Sequence, residues 1–307
     1  MMYKAQNVTD TPNNNTIFMV WNFKEVLELN DSFERLCALI INLNNTAQIR
    51  STVNKASIVL GIGYNAWINL KLPAPLPKEL IEFQPIKGEK HIAVATNGDL
   101  HIHIRANNQS YCMDMAGEIS NILNNVADCT EEVHGFRYWD GRSILGFVDG
   151  TENPQGEDRD YFGIIGNEDE RFKGGSYLFV QKYIHNLTAW KSLNTKEQEN
   201  VIGRSKADDI EMSDEKKPAN SHSALANVGD DLKIVRDNMP FGNIAKNEMG
   251  TYFLAYASTF STVKKMLTKM FIGDPVGNYD RILDFSEAKT GSLFFCPSIP
   301  MLKDFAG

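Results

Sequence analysis

The sequence predicts an α+β fold whose first half is ferredoxin-like and whose second half repeats the same order of elements. Two patterns carry this expectation. Short apolar runs of strand length alternate with longer segments whose apolar residues fall three and four apart, and the order seen in the first half returns after residue 175. Size agrees: 307 residues with 42% hydrophobic side chains can build one large domain or two ordinary ones.

After a polar, Asn-rich entry, residues 17–23 read as a strand. Residues 26–43 read as a helix, with Leu29, Phe33, Leu36, Cys37, Ile40 and Leu43 on one stripe. A nearly continuous apolar strand follows at 57–62. Pro73, Pro75 and Pro77 then force a loop, because proline neither continues a helix nor donates to a ladder. Residues 90–96 and 99–106 flank Asn97-Gly98, a pair suited to the type I′ turn, and are expected to form a hairpin. Residues 113–127 read as a second helix. In the second half, strands are expected at 175–184, 250–258 and 292–296, with helices at 195–203 and 259–271. Between them, 204–247 is a polar insertion, and an insertion of this length inside a compact domain is usually functional or disordered. The expected division is 1–130 and 131–307.

The net charge of -8 offers no basic stripe for phosphates and argues against a nucleic-acid partner. Cys37, Cys112, Cys129 and Cys296 are too widely spaced for a zinc knuckle or a disulfide framework, and read as reduced, partly buried thiols. The first residues lack the apolar core of a secretory signal, and no later stretch supplies about 18 uninterrupted apolar residues. A soluble, cytoplasmic protein without a membrane partner is expected.

The most informative stretch is GFVDGTENP, Gly146 to Pro154. Its two glycines let the backbone pass close to a flat ligand while Asp149 points into an apolar pocket. A bare G-x-x-D-G is common, and its bland reading is a turn with an Asx cap. The nine-residue version is more specific. It resembles the signature of the dye-decolourising peroxidases, in their compact bacterial cytoplasmic form, haem enzymes that use hydrogen peroxide to oxidise organic molecules. The resemblance covers most of residues 130–307, whereas the first half matches in pattern and length alone. It implies two ferredoxin-like halves, each an antiparallel sheet with helices, and haem b in the C-terminal half. Hydrogen peroxide and small organic reductants such as dyes and phenolics are the implied partners. A homo-oligomer is expected because sheet-rich halves leave faces to cover. The chain stops soon after its last strand, without the tail by which some relatives enter protein nanocompartments, so loading by that route is not expected.

A haem peroxidase needs an axial ligand, usually a neutral imidazole. Of six histidines, His222, in Asn-Ser-His-Ser-Ala-Leu-Ala-Asn, matches the family's proximal histidine and is the expected ligand to haem iron. His101 and His103 have metal-ligand spacing, yet alternation in Leu100 to Arg105 puts both imidazoles and Arg105 on one strand face, which is expected to be exposed. His91, His134 and His185 are expected to be structural. In Lys233 to Gly242 the resemblance makes Arg236 the distal arginine, a permanent charge that stabilises the anion formed as peroxide deprotonates and its O–O bond breaks. Asn238 stands where some relatives carry Ser and others Asn; either hydrogen-bonds peroxide or a distal water.

Asp280, in Gly-Asn-Tyr-Asp-Arg, matches the acidic residue that accepts the other ring N–H of the axial histidine. By residue pattern alone it is a helix N-terminal Asp, and both readings can hold. Arg204 resembles a family motif whose arginine pairs with a haem propionate, and a solvent-facing arginine is the competing reading. Glu152 lies near the expected haem edge, where it could hold a water or a cation bound to a propionate. The implied mechanism binds peroxide between Asp149 and Arg236, with the carboxylate moving the proton. Two rival readings remain at this point: a haem-handling protein that transfers haem or releases its iron, with incidental peroxidase activity, and a fold that binds no cofactor.

Overall fold

The computed structural model describes residues 4–50 and 52–307. Its first half supplies strands β1 (Asn15–Phe23), β2 (Ser57–Gly63), β3 (Ile86–Lys87), β4 (Ile92–Ala93), β5 (Leu100–Ala106) and β6 (Ala127–Phe136). The second half supplies β7 (Ser176–His185), β8 (Val235–Arg236), β9 (Met239–Asn243), β10 (Glu248–Ala257), β11 (Ser286–Ala288) and β12 (Ser292–Cys296). Helices are α1 (Leu29–Arg50), α2 (Tyr64–Asn69), α3 (Gln109–Leu123), α4 (Asp158–Gly163), α5 (Leu187–Ser192), α6 (Thr195–Ile202), α7 (His222–Ala226), α8 (Phe260–Phe271) and α9 (Ile299–Phe305).

The long strands lie in the order β6-β1-β5-β2-β12-β7-β10-β8, antiparallel throughout, with β11 on β7 and β9 on β10. Each half therefore places its fourth, first, third and second principal strands side by side. This is the ferredoxin-like order twice over. The halves meet edge to edge, Phe294 opposite Gly63 and Phe295 opposite Ile62, so their sheets run into one.

Side-chain alternation then assigns two faces. Ile17, Met19, Trp21, Ile58, Leu60, Ile102, Ile104, Phe179 and Phe295 face one core, which α1, α3 and α8 cover. Phe18, Val20, Val59, Leu178, Val180, Leu254, Tyr256 and Phe294 face the other, together with residues of β8 and β9. That second face is closed because the sheet curls until β6 lies on β9. A Cβ at Gly135 would stand 2.5 Å from Cβ of Met239, so only glycine permits the approach.

Closure corrects one expectation. His101, His103 and Arg105 do share a face, but that face is interior, and they are 0%, 1% and 1% exposed. Arg105 donates to the buried Asp237 carboxylate and, through Nε, to Ser57 Oγ at 3.2 Å. His103 Nδ1 lies 2.8 Å from Tyr256 Oη, and its ring stacks on Phe18. Burial, with Arg105 and His101 adding to it, holds His103 well below the usual imidazole range.

The expected hairpin at Asn97-Gly98 is also absent. β4 is a two-residue strand paired with β3, whereas β5 is flanked by β1 and β2 on its two edges. With both edges occupied, no ladder position remains for residues 90–96. The first helix begins three residues later than expected and runs on to Arg50, and the second is Gln109–Leu123, giving way to β6. The polar insertion is ordered and carries α7, β8 and β9, the second strand position of its half. All four cysteines are free, three buried and Cys129 exposed rather than partly buried. Among the described residues, no helix is long and apolar enough to cross a membrane.

Candidate active site

The segment carrying Asp149 is built to project one side chain. Gly146 (φ +92°) and Gly150 (φ +85°) take left-handed backbone conformations, and at Gly150 that conformation rather than lack of space demands glycine. Between them Phe147 is anchored: it packs on Trp190 with centroids 6.1 Å apart, and Trp190 Nε1 donates to Leu145 O at 2.9 Å. The Asp149 N–H is held by Gly141 O at 3.0 Å. With the backbone fixed on both sides, Val148 and Asp149 face a cavity.

Opposite stands His222, the first residue of α7. Its Nδ1 donates to Asp280 Oδ2 at 2.7 Å, and the Asp280 carboxylate is fully buried. The other carboxylate oxygen of Asp280 accepts from Ile282 N at 3.0 Å, capping the short 3-10 turn Arg281–Asp284. Both readings of Asp280 therefore apply at once. Burial pushes the imidazole toward its neutral form, but the Asp280 charge outweighs it and raises the affinity of the ring for a proton. With Nδ1–H committed to Asp280, Nε2 has no hydrogen-bond partner among the described residues and is the atom left for a metal.

Arg236 and Asn238 enter the same cavity from the edge of the sheet. Three neighbouring residues are held in three ways. Both backbone groups of Arg236 bond to the Asn153 side chain, N–H to Oδ1 at 2.8 Å and C=O to Nδ2 at 2.7 Å. Asp237 turns inward to Arg105. Asn238 accepts from Leu254 N at 3.1 Å through Oδ1, which leaves Nδ2 to donate to the Asp149 carboxylate at 3.2 and 3.3 Å. The Arg236 guanidinium itself has no hydrogen bond or ion pair among the described residues.

His222, Asp149, Arg236, Ile202, Ala226 and Met266 line both of two adjoining lobes, about 940 and 990 Å³ with their open mouths included. One lobe is walled by Phe147, Phe253, Val263, Leu267, Met270 and Ile282. The other opens past Arg204 and Glu152. A smaller pocket of about 490 Å³, open solvent included, is lined by Pro12, Arg137, Tyr138, Arg142 and Pro240 and also reaches Asp149, Arg236 and Asn238. A free imidazole nitrogen on one side, an unpartnered guanidinium and a carboxylate on the other, and apolar walls between them fit a flat metal porphyrin.

Arg204 is on the cavity wall, 13% exposed, but it is already engaged by Asp209 (2.8 Å), Glu211 (3.2 Å) and Glu152 (3.4 Å). Glu152 is mostly exposed and meets the site through this contact. Sequence reasoning passed over Asn153, although it lies inside the motif. It also passed over the cavity role of His185, whose two ring nitrogens meet Ser286 Oγ (2.8 Å) and Thr251 Oγ1 (2.9 Å). The signal for His185 was its place at the end of β7, where a strand residue borders the cavity.

Comparison with known proteins matches both halves. Residues 6–137 match the family model described as Dyp-type peroxidase, N-terminal, and residues 140–301 that described as Dyp-type peroxidase, C-terminal. The chain is 46% identical over 292 residues to a dye-decolorizing peroxidase of Rhodococcus erythropolis, covering 94% of this chain and 85% of the relative. It is 49% identical over 257 residues to one of Mycobacterium tuberculosis, covering 82% and 76%. Among solved structures, a dye-decolorizing peroxidase from Bacteroides thetaiotaomicron superposes with TM-score 0.97 at 48% identity, covering 100% of this chain and 99% of the other. A variant of DypB from Rhodococcus jostii, in complex with heme, gives 0.91 at 40% identity, covering 97% of each.

Proposed function

Since the chain belongs to the dye-decolorizing peroxidase family, and is a haem b-dependent peroxidase that uses hydrogen peroxide to oxidise organic donors, we propose that His222 holds the haem iron while Asp149, Arg236 and Asn238 handle peroxide on the opposite side. The observation that carries this reading is that an imidazole whose Nε2 is free and a guanidinium without a partner among the described residues line one cavity.

When bound, the haem would supply the iron at which peroxide is reduced and would store the two oxidising equivalents taken from peroxide until donors return two electrons one at a time. The chain supplies the rest. Asp280 fixes the His222 ring and, by accepting its Nδ1 proton, makes Nε2 a stronger donor. Peroxide enters past Arg137, Tyr138 and Arg142, whose pocket also reaches Asp149, Arg236 and Asn238. Asp149 would accept a proton from one peroxide oxygen and return it to the other, which would leave as water. Arg236 stabilises the negative charge that develops between those transfers. Asn238 keeps the carboxylate in place, because its own orientation is dictated by the Leu254 N–H. Arg204, with Glu152, Asp209 and Glu211, closes the solvent edge, where a propionate would share the guanidinium with those carboxylates.

The same reading takes small organic reductants as donors and places the protein in the cytoplasm as a homo-oligomer, with no nucleic-acid or membrane partner. Free cysteines favour the cytoplasm, and a net charge of -8 disfavours nucleic acid. Stopped-flow mixing of the haem-loaded protein with peroxide tests the site. Arg236→Leu is expected to slow the spectral change by about 10²–10³. Asp149→Ala should slow it less, because a water in the vacated space can carry a proton whereas no water replaces a fixed charge. Wild-type rates in both variants would contradict the assignment.

A further inference from the structure

We propose that Asn153 is a positioning residue for peroxide activation: its carboxamide fastens the Arg236 backbone to the turn that aims Asp149, and so sets the two groups against each other. This rests on the distal roles given above to Asp149 and Arg236.

The two residues are 83 positions apart, yet one side chain satisfies both backbone groups of Arg236. The arrangement reproduces what a neighbouring strand would do. β8 is two residues long and pairs with β10 through Ala255 opposite Arg236 and Tyr256 opposite Val235. Next to it, the Asp237 N–H reaches Leu254 O at 3.0 Å. The outward-facing N–H and C=O of Arg236 have no further strand to meet, and Asn153 occupies that edge.

Asn153 is itself rigid. Its N–H bonds to Gly150 O at 3.0 Å, closing the turn directly after Asp149, and its own carbonyl accepts from Gln155 Nε2 at 3.0 Å. Arg159 holds the next carbonyl, that of Pro154, at 3.2 Å. The residue is 8% exposed, so water does not easily replace its bonds. Any displacement of the Asp149 turn is thereby transmitted to Arg236, whose guanidinium has no anchor of its own. Two bonds to one residue also restrict rotation of that residue about the strand axis, which a single bond would leave free. Truncation at 153 leaves the Asp149 and Arg236 side chains intact but frees their relative position.

Cyanide binding to the ferric, haem-loaded protein reads this directly, because with His222 as the iron ligand the anion would bind in the cavity that the Arg236 side chain also lines. Four proteins are titrated optically at equilibrium: wild type, Asn153→Ala, Arg236→Leu and the double variant, with Soret absorbance and melting temperature recorded on the same samples. Asn153→Ala is expected to weaken cyanide binding about tenfold. The double variant should bind no more weakly than Arg236→Leu alone, since a clamp has nothing to position once the guanidinium is gone. A merely structural role gives effects that add, or an unchanged affinity in Asn153→Ala beside a weakened one in Arg236→Leu; either result overturns the clamp. An Arg236→Leu protein that binds cyanide like wild type overturns the distal role of Arg236, and the clamp with it. If Asn153→Ala does not retain haem, Asn153→Asp serves in the same cycle. It matches the size of Asn and keeps the acceptor for the Arg236 N–H, but sets a carboxylate oxygen against the Arg236 carbonyl, and the same non-additivity is expected.

Discussion

Two clusters among the described residues combine a histidine, an aspartate and an arginine, and one of them opens on a cavity. In the cavity, His222 donates to Asp280 while Arg236 lines the same open space. Inside the closed sheet, Arg105 is bonded to Asp237, and His103 lies 3.6 Å from the same carboxylate. The interior cluster has no open side: its members are 1% exposed, and its guanidinium is consumed by Asp237, Ser57 and backbone carbonyls. The cavity cluster keeps two valences unused, His222 Nε2 and the Arg236 guanidinium. Identical residue types thus give structure where the guanidinium is paired with a carboxylate and sealed from solvent, even with His103 Nε2 and Asp237 Oδ1 left without hydrogen bonds, and an opening for chemistry where the unpaired groups line a cavity that a ligand can enter.

Breaking the interior cluster should cost stability. Arg105→Met leaves the Asp237 carboxylate buried without its partner and is expected to lower unfolding stability by about 3–5 kcal/mol, measured by urea titration of the haem-loaded protein. A loss under about 1 kcal/mol would show that this pair behaves like an exposed one and would remove the contrast.

His185 sharpens the comparison from a third direction, since it borders the cavity but has two hydroxyl partners and no carboxylate. Burial pushes its imidazole from the usual value of about 6.5 down to about 4. The unfolded chain therefore takes up the proton first as pH falls, so the stability held above about pH 6.5 is lost progressively toward pH 4, by about 3 kcal/mol in all. Comparing the pH dependence of unfolding in wild type and His185→Gln checks this. The variant should show the shallower acid slope, and equal slopes would mean that His185 does not enter the folded state neutral.

Which parts of this were legible beforehand follows from the distance over which each is decided. α6 was readable because Asn194 and Glu197 form a local capping box, and β12 because its apolar run is bounded on both sides. His222 and Asp280 were readable through short motifs, and the Asp280 cap is a two-residue contact. The interior fate of His101, His103 and Arg105 was not, because alternation shows that three residues share a face and says nothing about what lies over it. That depends on β6 meeting β9 at the far ends of the sheet. The Asn97-Gly98 turn failed for a related reason: local turn chemistry was overridden by β1 and β2, which claim both edges of β5. β8 was invisible because two residues carry no period, and it exists as a strand through β10 and Asn153. The role of Asn153 is a contact between segments 83 residues apart, which no local pattern encodes.

The central claim is that His222 Nε2 holds the iron while Asp280 pulls on Nδ1. Asp280→Asn is expected to lower peroxide turnover by about 10–100-fold, but the more direct readout is the iron–imidazole stretching band in the resonance Raman spectrum of the ferrous, haem-loaded protein. The band should move to lower frequency in Asp280→Asn, where the imidazole loses its charged acceptor, and should vanish in His222→Ala. A band that persists unchanged in His222→Ala would mean that another residue holds the iron and would contradict the account.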